Sequence, residues 1–193
     1  MEAMKLGNPA AVGLGGFAMT TFMLQCHNLG WVDIGPVLWL GIFYGGLAQF
    51  VAGYFEFKVG NNFGFSAFVS YGAFWIALAL YLIFGTNAEL VKAYPVLKLS
   101  SQGLGFFLVA WTIYTGIMFI ASMKHNGALA FLFLTLFLGF FGLVIKELAG
   151  SQFIGTLAAW DLIICALTAW YLMAHAVLAD SGISLPVGKP WLK

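Results

Sequence analysis

Six long apolar stretches, separated by short polar or glycine-containing links, dominate the pattern of this chain. A membrane-spanning α-helix needs about 20 mostly apolar residues, because each residue adds only about 1.5 Å along the helix axis. On that basis we predict spans at approximately 9–27, 35–57, 63–84, 103–123, 128–145 and 153–178. The pattern predicts an all-α integral membrane protein: one domain over residues 1–193, with six transmembrane helices in a single bundle.

The third apolar stretch differs from the others because polar side chains recur inside it. Its sequence from Asn61 to Trp75 reads NNFGFSAFVSYGAFW. Residues three and four apart on a helix lie side by side, so Ser70, Tyr71 and Phe74 fall on one face. A hydroxyl stripe in an apolar helix indicates a face turned toward other helices or toward a water path. Packing through interhelical hydrogen bonds is the simpler interpretation.

Glycines recur inside the spans, where they allow helix backbones to approach closely. Gly13, Gly15 and Gly16 precede Phe17 in the first span, and a glycine pair lies in the middle of the second. That pair, at 45–46, also allows a second interpretation. A helix loosened there would present backbone groups to a substrate if it lined protein or water.

Lysines near the ends of the spans predict the orientation, since cytoplasmic loops carry an excess of basic residues. Five of the eight fall on the side of the N-terminus: Lys5, Lys58, Lys124, Lys189 and Lys193. The other three are Lys92, Lys98 and Lys146. An even number of spans then places both termini in the cytoplasm.

The composition narrows the class of protein. The chain of 193 residues is 62% hydrophobic and 8% charged, whereas soluble domains carry about 25% charged residues. A net charge of +1 without any arginine gives no basic surface for nucleic acid. Cys26 and Cys165 lack metal-ligand spacing and are interpreted as small packing residues. The N-terminus lacks the pattern of a removable signal peptide.

Candidate catalytic and metal-binding groups are sparse. His27, His125 and His175 fall near the ends of predicted spans, and no HxxH, HExxH or CxxC pattern is present. We therefore expect no metal, no cofactor, no catalytic residues and no enzymatic activity. The histidines are most simply interpreted as interfacial side chains. His27 also lies near the mouth of a possible pathway, where protonation near neutral pH would matter.

Carboxylates inside an apolar span suggest function, because burying an isolated ion costs on the order of several kcal/mol. Glu56 lies near the end of the second predicted span. Asp161 lies eight residues into the last span, roughly 12 Å from its start. Together with His27 they are the candidates for proton coupling. Hydration or pairing with a cation is an equally simple interpretation of each carboxylate.

No predicted span carries a lysine or arginine at its centre. An anion would therefore be held by neutral donors, with help from helix N-termini. The available donors are Asn8, Thr20, Thr21, Tyr44, Gln49, Asn61, Ser70 and Tyr71. Such a site suits a small, weakly held monovalent ion or its neutral acid, because fast conduction requires easy release. The rings of Phe17 and Tyr71 could add a narrow apolar constriction.

Three stretches in the first 75 residues resemble the acetate uptake transporter family, also called succinate-acetate permeases of the SatP/YaaH type. They read NPAAVGLGGFAMTT from Asn8 to Thr21, GIFYGGLAQFVAG from Gly41 to Gly53, and FEFKVGNNFGFSAFVSYGAFW from Phe55 to Trp75. Chance similarity between apolar helices would not reproduce the polar positions as well. The chain departs from the family at Ala11 and Val12, where proline and leucine are usual.

The resemblance implies a multi-pass plasma (inner) membrane carrier or channel for acetate and other short monocarboxylates, sometimes with succinate. It also implies a hexamer of six-helix protomers, each with its own pathway. By similarity, pathway positions fall on Asn8, Pro9, Phe17, Tyr44, Gln49 and Tyr71. Family members have a constriction of Phe, Tyr and Leu. Phe17 and Tyr71 match it within the motifs, and Leu136 is our candidate for the Leu.

Several functions remain open at this point. Acetate can pass through a channel or in proton symport. A channel for a small neutral solute such as urea or ammonia also suits small helices with an aromatic constriction. A membrane sensor or assembly subunit that transports nothing would use the hydroxyl stripe only for packing. Acetate flux by the pure protein, with urea as competitor, separates these classes.

Overall fold

The computed structural model describes residues 7–193, which form a bundle of long helices without a β-strand in that range. The long α-helices are α1 (Ala10–Asn28), α4 (Asn62–Thr86), α6 (Ser101–Ser122), α7 (Gly127–Ala149) and α8 (Gln152–Ala179). One further continuous run comprises α2 (Gly35–Ile42), a π-helical segment (Phe43–Ala48) and α3 (Gln49–Lys58). A short helix, α5 (Ala88–Ala93), lies in the link before α6.

Five helical runs within the described chain are long and apolar enough to cross a membrane. They are Gly35–Lys58, Asn62–Thr86, Ser101–Ser122, Gly127–Ala149 and Gln152–Ala179. The expected count of six spans is therefore wrong by one on this measure. The exception is α1, whose 19 residues include Gln25, His27 and Asn28 in the last turns. These polar side chains reduce its apolar character, although α1 packs within the bundle along α8.

Polar caps begin several of the helices. The side chains of Asn61, Ser100 and Asn126 each accept a hydrogen bond from the backbone N–H three residues further on. Such a cap contributes about 1 kcal/mol, because it satisfies a donor that the first turn leaves without a helical partner. At the other end, α7 continues to Ala149, beyond the expected 145. It stops where Gly150 adopts a φ of 70°.

Both ends of the described chain lie at the same end of the bundle. Asn8, just before α1, lines a cavity together with His125, between α6 and α7, and His175, near the end of α8. His27 and Lys146 line a second cavity, at the opposite end. We call these ends the Asn8 end and the His27 end. The cytoplasmic location of the termini stays a prediction, and it now concerns the Asn8 end. One of the lysines that support this orientation, Lys5, lies outside the described residues.

Glycine allows α1 to pack directly on the π-helical segment. A Cβ added at Gly16 would lie 2.5 Å from the backbone carbonyl oxygen of Tyr44, and one added at Gly45 would overlap the side chain of Thr20. Gly45 and Gly46 are buried and line neither of the two cavities. The turn at this glycine pair is wider than in an α-helix because it is π-helical. Since both glycines are buried against other helices, the widened turn serves helix packing.

Candidate functional site

Two cavities lie end to end inside the bundle. The cavity at the Asn8 end has a volume of about 260 Å³, and the cavity at the His27 end about 210 Å³. Phe17 of α1, Tyr71 of α4 and Leu136 of α7 line both. These three side chains, which we call the partition, therefore lie where the two cavities meet.

The partition is buried and mostly apolar. Phe17 is 6% exposed, Tyr71 2% and Leu136 3%. The ring centroids of Phe17 and Tyr71 are 6.0 Å apart, with planes inclined at 60°. Tyr71 also contacts the rings of Trp111 and Phe133, at 5.9 and 6.2 Å. Because Phe17 and Leu136 have no polar side-chain atoms, the Tyr71 hydroxyl is the polar group that the partition supplies.

Hydrogen bonds between α4 and α6 orient the phenol ring. The Tyr71 hydroxyl lies 2.9 Å from Thr115 Oγ1 of α6, which is buried. One residue earlier, the Tyr114 hydroxyl donates to the Ser66 carbonyl at 2.8 Å and lies 2.9 Å from Ser70 Oγ. The hydroxyl stripe of α4 thus divides: the Ser70 hydroxyl contacts Tyr114 of α6, and Tyr71 reaches both α6 and the cavities.

We expect Thr115→Val to destabilise the protein by about 1–3 kcal/mol, because the substitution keeps the side-chain shape but leaves the buried Tyr71 hydroxyl without its partner. Thermal unfolding of the detergent-solubilised protein, followed by size-exclusion chromatography, measures the loss. Thr112→Val is the matched control, since that hydroxyl donates to Leu108 within α6. Equal losses in the two variants would contradict the role of Thr115.

Amides, imidazoles and one carboxyl group line the Asn8-end cavity. These residues are Asn8, Gln49, Glu56, Asn61, His125, Asn126 and His175. Glu56 is only 2% exposed, and its Oε2 accepts from Asn61 Nδ2 at 2.8 Å. Asn61 Oδ1 accepts in turn from Gly64 N at 3.0 Å. One asparagine therefore caps α4 and fixes the position of the buried carboxyl group.

Two buried oxygen atoms beside this cavity, Gln49 Oε1 and Glu56 Oε1, have no hydrogen-bond partner within residues 7–193. A buried acceptor without a partner costs about 1–3 kcal/mol. Both residues line the cavity, so a solute or water that donates a hydrogen bond would satisfy them. This wall can therefore bind a group that carries a proton.

The His27-end cavity is apolar along most of its length and polar at its mouth. Thr21, Gln25, His27 and Asn28 of α1 line it. The Lys146–Glu147 pair of α7 also lines the mouth, with 3.8 Å between Lys146 Nζ and Glu147 Oε1. Lys146 therefore belongs to a weak ion pair near the end of α7. It places no fixed positive charge at the centre of the bundle.

Several residues singled out from the sequence line neither cavity of the described chain: Thr20, Tyr44, Ser70 and Asp161. Thr20 packs on Gly45, and the Tyr44 hydroxyl packs on Gly15. Asp161 is half-buried on α8, next to Leu162, which does line the His27-end cavity. In each case the correct helix presents the polar group in another direction. The part of these four residues in the pathway or in proton coupling stays a prediction.

Sequence reasoning missed other residues of the two cavities. Gln25, Asn126 and the Lys146–Glu147 pair line them, although the sequence does not predict it. His175 also lines one of them, although its position near a span end predicts only an interfacial side chain. Gln25 lies on α1 beyond the end of the first motif, and the other residues lie on or next to α7 and α8, which carry none of the three motifs. No local pattern therefore marked them. The described residues 7–193 contain no group of three His, Cys, Asp or Glu side chains that could hold a metal ion.

Comparisons with known proteins agree on one family. The GPR1/FUN34/yaaH family matches residues 1–189. The chain is 40% identical over 196 residues to the succinate-acetate/proton symporter SatP of Escherichia coli (strain K12), covering 98% of this chain and 99% of that protein. It is 38% identical over 214 residues to acetate permease A of Emericella nidulans, covering 99% of this chain and 69% of that protein. The solved structure of the bacterial acetate channel SatP matches with a TM-score of 0.88 and 41% identity, covering 95% of this chain and 100% of that one.

Proposed function

Because the chain belongs to the GPR1/FUN34/yaaH family, we propose that it carries acetate and related short-chain carboxylates, succinate among them, across the plasma membrane. It is a multi-pass membrane protein, and the three relatives named above are a symporter, a permease and a channel. One observation carries the proposal. Two cavities run from one end of the bundle to the other and meet at Phe17, Tyr71 and Leu136.

The proposed pathway uses neutral donors on both sides of an apolar constriction. A carboxylate enters past Asn8, Gln49 and Asn61, crosses the partition and leaves past Thr21 and His27, or moves in the reverse direction. Each cavity has room for a small carboxylate with a few waters, since a water occupies about 30 Å³. Neutral donors bind an anion weakly, which permits rapid release.

The names of the relatives include both a proton symporter and a channel. For a symport mechanism we propose Glu56 as the proton-exchanging carboxyl group. It lines the Asn8-end cavity, Asn61 fixes one of its oxygens, and its other oxygen has no hydrogen-bond partner within the described chain. His27 lines the other cavity, whereas Asp161 lines neither. Asp161 is therefore the weakest of the three coupling candidates.

We also propose a homo-oligomer, a hexamer by family resemblance, embedded in the lipid bilayer. Large apolar side chains cover the outer face of the bundle, among them Trp39, Phe106, Ile113, Ile117 and Ile120. Such a surface suits contact with lipid or with a neighbouring protomer. Both cavities lie within one chain, so each protomer would hold its own pathway.

Uptake of labelled acetate by proteoliposomes that contain only this chain tests the proposal. We expect protein-dependent uptake that unlabelled acetate reduces and urea leaves unchanged. Uptake that follows the acetate gradient alone, after correction for leakage of the free acid, identifies a channel. Accumulation driven by an imposed proton gradient identifies a symporter. Absence of protein-dependent flux would contradict the proposal and favour the sensor interpretation.

A further inference from the structure

The C-terminal segment 183–193 is tied across the Asn8 end of the bundle. The Tyr171 hydroxyl of α8 donates to the Pro186 carbonyl at 2.6 Å. Ala128 N, at the start of α7, donates to the Val187 carbonyl at 2.8 Å. Trp191 N donates at 2.9 Å to the carbonyl of residue 123, just after α6. The segment thus joins the end of α8 to the turn between α6 and α7, two elements that line the mouth of the Asn8-end cavity.

His175 connects this segment to the cavity. Its Nδ1 lies 2.8 Å from the Leu185 carbonyl oxygen, and the residue lines the Asn8-end cavity. A carbonyl oxygen only accepts hydrogen bonds, so Nδ1 must carry a hydrogen. The segment itself does not line that cavity. Because the two ring nitrogens lie on different sides of the imidazole, Nε2 does not face the Leu185 carbonyl and is the ring nitrogen left for a partner in the cavity.

The other mouth holds a histidine in a similar arrangement. His27 lines the His27-end cavity, and its Nδ1 lies 3.0 Å from the Val32 carbonyl oxygen. Each mouth therefore holds an imidazole whose Nδ1–H is engaged by a backbone carbonyl. In both, this bond leaves Nε2 as the ring nitrogen that can contact another partner.

We infer that His175 binds the carboxyl group of the substrate at the Asn8-end mouth and exchanges a proton with it, while segment 183–193 holds the imidazole in position. The inference rests on the proposed function and names a binding residue for it. Neutral His175 with an undissociated acid, and protonated His175 with a carboxylate, contain the same atoms and carry the same net charge. The proton moves from the acid oxygen to Nε2 and back, so no further reactant is required.

Other titratable groups surround this mouth. Glu56, from α3, and His125, from the turn after α6, line the same cavity. The ring of His125 packs on Phe63 with centroids 4.6 Å apart. Asp180 follows at the end of α8, and the lysines of the turn and the segment are Lys124, Lys189 and Lys193. Among the described residues, α1 and α7 contribute no titratable side chain to this cavity.

The variant His175→Asn separates positioning from proton exchange. An asparagine amide can still donate to the Leu185 carbonyl, but it cannot titrate and has no atom in the place of Nε2. We expect the KM for acetate to rise about fivefold, as the loss of one hydrogen bond of about 1 kcal/mol implies. We also expect a flatter pH dependence of uptake, because the asparagine side chain does not exchange a proton. Initial rates of labelled acetate uptake by proteoliposomes at a series of pH values measure both.

The controls distinguish this role from simple anchoring. Tyr171→Phe removes the neighbouring bond to the segment and should keep the pH profile of the unmodified protein. An unchanged KM and profile in His175→Asn, or the same shift in Tyr171→Phe, would overturn the inference. So would a pH dependence that is lost in His125→Asn but kept in His175→Asn. If the first variant does not fold, His175→Gln, whose amide reaches the place of Nε2 but does not exchange a proton, still tests the pH dependence. Failure of the proposed function would instead abolish uptake by the unmodified protein.

Discussion

Phe17→Ala is expected to raise the rate of acetate uptake about tenfold and to admit larger acids such as butyrate. Phe17 lies where the two cavities meet, with its ring 6.0 Å from that of Tyr71. Removing the ring widens the partition and lets the carboxylate keep more of its water during passage. A barrier lowered by about 1.4 kcal/mol gives that tenfold increase. Initial rates with labelled acetate, propionate and butyrate in proteoliposomes measure both the rate and the range.

The loss of a buried ring also affects folding, because Phe→Ala in a core costs about 3–5 kcal/mol. Phe17→Leu, which keeps more of the packing, is therefore the second variant. Phe22→Ala is the matched control: Phe22 lies on the same helix and its ring contacts Trp170 at 5.3 Å, but it lines neither cavity of the described chain. An unchanged rate and range for both Phe17→Ala and Tyr71→Ala would show that these rings only pack.

Gly16→Leu is expected to abolish the folded protein. The new Cβ would lie 2.5 Å from the carbonyl oxygen of Tyr44, which belongs to the backbone and cannot rotate away. Either α1 or the π-helical segment would have to move, and both help to position the cavity walls. Overpacking by one methyl group costs about 1–3 kcal/mol, so Gly16→Ala should be destabilised and Gly16→Leu much more so. The monodisperse fraction after detergent extraction and the thermal unfolding midpoint report the effect.

Gly35→Ala is the control for this series. Gly35 begins α2, and a Cβ added there meets no atom within 4 Å. Its unfolding midpoint should equal that of the unmodified protein. A Gly16→Leu protein as stable as Gly35→Ala would mean that α1 and the π-helical segment are not in backbone contact in the membrane.

Much of the fold could be predicted because its causes are local. In lipid, an apolar run of about 20 residues satisfies its backbone groups most simply as a helix. Helix starts follow from Asn61, Ser100 and Asn126, whose side chains cap the next turn. The prediction failed at α1, where counting length alone overlooked how Gln25 and His27 reduce its apolar character.

The candidate site was less predictable because its contacts join distant parts of the chain. Tyr71 came from a motif, but its partner Thr115 lies 44 positions away on a helix that has no motif. His175 gave no sign of its role, since that role depends on the Leu185 carbonyl behind the ring and on a cavity in front of it. Such neighbours follow from helix packing, which no short stretch of residues encodes.

The amino-acid sequence by itself determined that this protein is an all-helical membrane protein, because apolar length and capping act within one helix at a time. The tertiary structure alone decided which polar side chains reach the cavities. Thr20 and Thr21 are neighbours on α1, yet Thr21 lines the His27-end cavity while Thr20 packs on Gly45. Successive residues on a helix point about 100° apart. Which of those directions leads to the cavity depends on how α1 is placed between α8 and the π-helical segment.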